Sequence, residues 1–132
     1  LFGKPDSINY FANMHNNIDT SGMMLIDYGD FECVCIGAKD CKAPTTSLIQ
    51  GVKGNVQITL PVNQMIGYEM ALNSGDGAQF TFDRREHRLF YEFEAFIRII
   101  DTPDYQAAAH LLEVSAIAAR MIENGRKQQN AV

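Results

Sequence analysis

Tryptophan is absent from this chain and proline is scarce, at four residues in 132. The missing tryptophan decides nothing. So few prolines beside 46% hydrophobic residues exclude a collagen-like or disordered chain and indicate an ordinary folded globule. Basic residues are also short, eleven Lys and Arg against sixteen Asp and Glu. The resulting formal charge of -5 repels phosphate backbones and anionic lipid, so nucleic acid is not an expected partner. Long hydrophobic runs are missing too: none approaches the roughly 18 residues a membrane span needs. The three cysteines, Cys33, Cys35 and Cys41, are an odd number, with no basic-then-apolar leader and no Asn-x-Ser/Thr acceptor in these residues. That pattern reads as reduced thiols in a cytoplasmic protein.

What is present is a run of strands followed by a run of helices. Residues 7–15 alternate, with Ile8, Tyr10, Ala12 and Met14 on one side and Asn9, Phe11 and Asn13 on the other. After a polar stretch, Met23–Tyr28 and Phe31–Ala38 are apolar runs joined at Gly29-Asp30, as in an antiparallel hairpin. A second hairpin is read across Gly51-Val52-Lys53-Gly54 and a third across residues 73–77, giving six or seven strands before residue 83. The period then changes. Leu89, Phe93, Phe96, Ile97 and Ile100 form one helical face, predicted to pack on the sheet, and Asp83 with Glu86 resembles a capping box. A second helix is predicted from Thr102-Pro103-Asp104, with Thr102 as its cap, a stripe of Ala107, Leu111, Val114, Ala118, Met121 and Ile122, and a stop at Gly125.

The expectation is therefore a single α+β domain over residues 1–132: a predominantly antiparallel, open-faced sheet with two C-terminal helices on one face. In Phe31–Ala38 both faces are apolar, and helices cover only one, so the other is expected to meet another sheet or another subunit, and a homodimer through the sheet face is predicted. Which set faces the helices, Cys33 and Cys35 or Val34 and Ile36, is left open by the pattern.

No motif in the sequence carries catalysis. Gly51-Val52-Lys53-Gly54 and Gly75-Asp76-Gly77 both lie between strands, with no helix N-terminus to receive a phosphate, so no dinucleotide fingerprint is present. Cys33 and Cys35 share a strand face, but the other soft ligands are scattered; buried thiols are the better reading and no metal is expected. His110 with Glu113, and the cluster of Arg84, Arg85, His87 and Arg88, read as solvated helix chemistry. Glu92 and Glu94 are two apart on a helix and point in different directions.

The order of these elements resembles the glucose-fructose oxidoreductase and inositol dehydrogenase family of NAD(P)-dependent enzymes, specifically its C-terminal domain. The resemblance is carried by Leu1-Phe2-Gly3-Lys4-Pro5, by Ile18-Asp19-Thr20 leading into Met23–Tyr28, and by Gly29 before Phe31–Ala38. It continues in Ile49-Gln50-Gly51-Val52-Lys53-Gly54-Asn55-Val56, in Tyr91-Glu92-Phe93-Glu94-Ala95-Phe96, and in the Ala-rich helix with Leu112-Glu113-Val114. Val52 stands where that family has Thr. The resemblance implies a substrate-side and dimerisation domain of a longer enzyme that transfers hydride to or from a sugar, polyol or related hydroxy compound. It places the Rossmann domain, its NAD or NADP, and the catalytic residues outside these 132. A start at Leu1 suits a chain cut from something longer. Tyr28 is the one substrate contact the resemblance carries over, from a strand that touches sugars in that family. A stand-alone assembly domain associating through its sheet is the alternative reading.

Overall fold

Asn16 and Asn17 both take left-handed backbone conformations, φ 50° and 62°, and so close a two-residue turn of the kind that matches strand twist. The turn joins β1 (Ser7–His15) to β2 (Ile18–Asp27), and a tight link at Gly29-Asp30 leads into β3 (Glu32–Ala38). The strand expected from Met23 thus begins at Ile18, because the Asn-Asn turn recruits the polar residues before it into the ladder. The computed structural model describes residues 2–83, 87 and 89–129. Arg84, Arg85, Glu86 and Arg88, on which the basic cluster and half of the expected capping box fell, lie outside the described residues.

The structure comprises two compact units, Leu1–Lys42 with Thr102–Val132, and Ala43–Asp101. The first holds the antiparallel sheet β1-β2-β3 and the second a four-stranded antiparallel sheet in the order of its chain, β4 (Ser47–Gly51), β5 (Gly54–Ile58), β6 (Gly67–Leu72) and β7 (Gly77–Thr81). Among the described residues, seven strands and two α-helices make this an α+β fold, with the strands in two sheets where the sequence pattern suggested one. Helix α1 (Phe90–Asp101) belongs to the second unit and α2 (Tyr105–Gln129) to the first.

His87 Nδ1 accepts the Leu89 N–H at 3.2 Å and the His87 carbonyl accepts the Phe90 N–H at 3.0 Å, so His87 satisfies amides at the start of α1. The expected pairing of Asp83 with Glu86 falls on a residue outside the described ones. At α2 the cap is Asp104, whose Oδ1 accepts the Ala107 N–H at 3.0 Å, and not Thr102. The apolar stripe of α1 is not buried: Phe93 is 58% exposed, and Phe96, Ile97 and Ile100 are exposed with it.

In the first unit, register settles the two faces. Ile8 pairs with Ile26 and Ile26 with Cys33; Tyr10 pairs with Met24 and Met24 with Cys35. These rows form the face that receives α2, because Gly125 of α2 lies against Tyr10 and Met24. The core sits there, at Ile8 and Ile26, 8% and 5% exposed. The opposite face carries the rows Phe11-Met23-Ile36 and Asn9-Leu25-Val34. It is open, with Ile36 81% exposed.

Gly125 does not stop α2. It is buried inside the helix, where a Cβ would come within 3.2 Å of both Met24 Cε and Tyr10 Cβ. The glycine serves close approach of helix to sheet rather than a left-handed C-cap. The expected stripe of α2 is met in part: Val114, Ala118 and Met121 line a cavity against Phe2, Gly3 and Tyr28 together with Ile117, which lay outside the stripe, while Leu111 and Ile122 are exposed. Gln128 completes the contact of α2 with the sheet. Its Nε2 donates to the Ile8 carbonyl at 2.6 Å and its Oε1 accepts the Tyr10 N–H at 3.2 Å, so one side-chain amide occupies the outer edge of β1 as a further strand would.

Candidate functional site

The Tyr10 ring runs along the α2 face of the sheet and crosses Gly22, where a Cβ would meet Tyr10 Cε2 at 2.9 Å and its hydroxyl at 3.0 Å. Only glycine leaves room for the ring. Its hydroxyl donates to Asp19 Oδ2 at 2.9 Å, and Lys39, just beyond β3, donates through Nζ to Asp19 Oδ1 at 2.7 Å and to the Asp19 carbonyl at 2.8 Å. The Lys39 N–H bonds the Thr20 carbonyl at 2.6 Å, which anchors the lysine backbone beside the carboxylate. Three residues from three chain segments thus meet at one wall of a cavity of about 390 Å³, floored by Gly22, Met24, Cys35 and Gly37.

The electrostatics of the group are consistent with these bonds. The Lys39 ammonium, and after it the Tyr10 hydroxyl, hold the Asp19 carboxyl below its ordinary 3.8. Burial pushes the Tyr10 phenol above its ordinary 10.0; the hydrogen bond to Asp19 and its charge add to this, and Arg126 opposes it. At neutral pH the group is therefore a phenol, a carboxylate and an ammonium. Each carboxylate oxygen holds one donor and keeps further lone pairs, and the ammonium has three N–H groups of which two are engaged. Such a wall can accept a hydrogen bond from one hydroxyl of a ligand and donate to its neighbour.

Tyr28 lies just past the end of β2, apart from that wall. Its ring stacks on Phe31 at 4.8 Å, and Phe2 packs edge-on against both, at 5.9 and 5.1 Å. With Gly3, Ile117 and Met121 it lines a cavity of about 170 Å³. Burial, and then Cys33 and Cys35, raise its phenol. The thiol of Cys35 is raised by burial, by Cys33 charge and by a hydrogen bond to Cys33, the reverse of what an activated nucleophile requires. His110 and Glu113 are both exposed on α2.

Among the described residues, the turn at 52–53, flanked by Gly51 and Gly54, and the turn at 73–76 join antiparallel strands and not a strand to a helix. They do not fit a dinucleotide pyrophosphate. The described helices include none long and apolar enough to cross a membrane.

In the sequence Tyr10 reads only as a strand residue, Asp19 only as part of Ile18-Asp19-Thr20, and Lys39 carries no signal, since nothing local links positions 10, 19 and 39. The legible signal would have been the opposite charges of Asp19 and Lys39 at the end of a hairpin, beside a glycine under an aromatic ring.

Over its whole length the chain is 25% identical to scyllo-inositol 2-dehydrogenase (NADP(+)) IolU of Bacillus subtilis (strain 168) and 26% identical to the uncharacterized oxidoreductase YgjR of Escherichia coli (strain K12). Both are oxidoreductases. The chain spans 40% of the length of each of these curated relatives. No family model matches it. The two likenesses agree with the resemblance to the C-terminal domain of the glucose-fructose oxidoreductase and inositol dehydrogenase family drawn from the residues.

Proposed function

We propose that this chain is the substrate-side and association domain of a cytoplasmic NAD(P)-dependent oxidoreductase that acts by hydride transfer on a sugar, polyol or related hydroxy compound. The observation that carries the reading is the Tyr10, Asp19 and Lys39 wall, whose acceptors and donor match two adjacent hydroxyls of such a ligand. The name of the Bacillus relative, an inositol dehydrogenase that uses NADP(+), supports both the substrate class and the cofactor. The cofactor and the hydride-transfer residues belong to a nicotinamide domain beyond these residues. Tyr28, in its aromatic cluster, offers a flat apolar wall suited to the C–H face of a sugar ring.

The partner is a second copy of the chain, bound through the open face of Phe11, Met23, Val34 and Ile36. Apolar rows of this kind, left uncovered by α2, favour self-association. The same face supports the alternative, a stand-alone assembly domain without a nicotinamide half.

Reading the gene upstream of the Leu1 codon separates the two. A Rossmann-domain coding sequence in frame is expected, and a start codon directly before Leu1 would overturn the oxidoreductase reading. In the protein itself, titration with scyllo-inositol followed by NMR should shift the Gly22 and Gly37 amides, and Asp19→Asn should abolish the shifts. Unchanged shifts in that variant would remove the wall from the substrate site.

A further inference from the structure

A second cavity of the first unit, about 480 Å³, is separate from the Asp19 wall and has a different chemistry. Its walls are the segment entering β1 and one face of α2. Three of the chain's eleven basic side chains, Lys4, Arg120 and Lys127, line it, against the one carboxylate of the wall, Asp6. Its apolar floor includes Ile8, among the most buried side chains of the unit.

The convergence follows from helix geometry. Arg120, Asn124 and Lys127 stand at i, i+4 and i+7, so they share one face of α2 and span about two turns, roughly 10 Å. That face presents a cation, an amide and a cation to the segment that brings Lys4. Lys127 is held by Glu123 at 2.7 Å, whereas Lys4, Arg120 and Asp6 make no ion pair among the described residues. With Lys127 paired to Glu123, Lys4 and Arg120 remain as two cations against the Asp6 carboxylate, and an anion entering the concavity balances the second of them. The excess is local, in a chain whose formal charge is -5.

We infer that this cavity binds a phosphoryl group, held by the planar fork of Arg120 with Lys4 as a second cation and the Asn124 amide as a neutral donor. Arg suits this role because its donors match two oxygens of a tetrahedral anion at once. A volume of about 480 Å³ exceeds what phosphate alone fills and lies within the range of small-molecule sites, so the ligand class is a phosphorylated small molecule of sugar size. The inference is independent of the polyol reading, since it shares no residue with the Asp19 wall and its failure would leave that reading intact.

Calorimetric titration of the 132-residue chain at low salt, with glucose 6-phosphate, inorganic phosphate and glucose as separate probes, tests it. Glucose 6-phosphate should bind saturably. Arg120→Ala and Lys4→Ala should each weaken it by about tenfold or more, and Arg120→Lys should restore only part of the loss. Inorganic phosphate binding as tightly as glucose 6-phosphate would identify the free ion as the ligand; weaker binding would identify the phosphorylated molecule. Lys53→Ala, which removes a positive charge of the second unit that does not line the cavity, should change affinity less than twofold. Both arginine variants should keep the parent's circular dichroism, because Arg120 is exposed. Three outcomes would overturn the proposal: no saturable binding of either anion, binding that survives loss of Arg120 and Lys4, or an equal loss with Lys53→Ala, which would mean general screening and no site.

Discussion

Gly125 of α2 and Tyr10 of β1 are in such close contact that a Cβ on the glycine would lie 3.2 Å from the tyrosine Cβ. The same Tyr10 ring spans Gly22 and ends on Asp19, so two glycines, one in a helix and one in a strand, set the position of the candidate site's phenol. Gly125→Leu should destabilise the first unit by about 1–3 kcal/mol through overpacking. For Gly125→Ala, crowding at 3.2 Å opposes the gain of about 1 kcal/mol in helix propensity, so the net change should be small. Urea denaturation of the two variants checks this; equal large losses would mean that the helix cannot shift even slightly.

Gln128→Ala uncovers the outer edge of β1. Removing an amide that serves both the Ile8 carbonyl and the Tyr10 N–H should cost about 1–2 kcal/mol and accelerate hydrogen exchange at Tyr10. Exchange at Tyr10 that does not change in the variant would mean the edge is protected by something else.

The Asp19 and Lys39 pair predicts a pH dependence of one sign. Asp19 titrates below its ordinary 3.8 in the folded chain, so its contribution to stability is present above the unfolded value and is lost as pH falls through the folded one. The stability difference between the parent and Lys39→Met should be constant from about pH 5 to pH 7 and should close below about pH 4. Carboxyl NMR should show the Asp19 titration moving upward in Lys39→Met. A difference that widens on acidification would contradict the assignment.

Burial separates two apolar residues that look alike in sequence. Ile26→Ala, in the core, should cost about 2–5 kcal/mol, whereas Phe93→Ala on exposed α1 should cost under about 1 kcal/mol. Denaturation midpoints that fall equally would show that the α1 stripe is covered in solution.

Self-association through the open face predicts that Ile36→Asp gives a folded monomer in sedimentation experiments, because Ile36 is 81% exposed and a charge there costs no core burial. Ile26→Asp should unfold the unit. A parent chain that stays monomeric at high micromolar concentration would refute the proposed homodimer.

Alternation and period determined the greater part of the elements. Most of the strands from Ser7 to Thr81 and the helices after them follow from side chains spaced two or 3.6 apart, a local property, although the first five residues of β2 join the ladder only through the Asn16-Asn17 turn. Turn chemistry was equally legible at Gly29-Asp30 and Val52-Lys53. What remained undecided, or was read wrongly, depended on contacts between residues far apart in the chain. Register decided that Cys33 and Cys35 face α2 while Val34 and Ile36 face outward, since either arrangement satisfies the same alternation. Gly125 reads locally as a helix stop; only the Tyr10 ring and Met24 packed against it make it an interior residue. The Tyr10, Asp19 and Lys39 wall likewise exists only once three strands are in register, because hydrogen bonds over 9 and 20 residues of chain are set by tertiary structure and leave no periodic trace in the sequence.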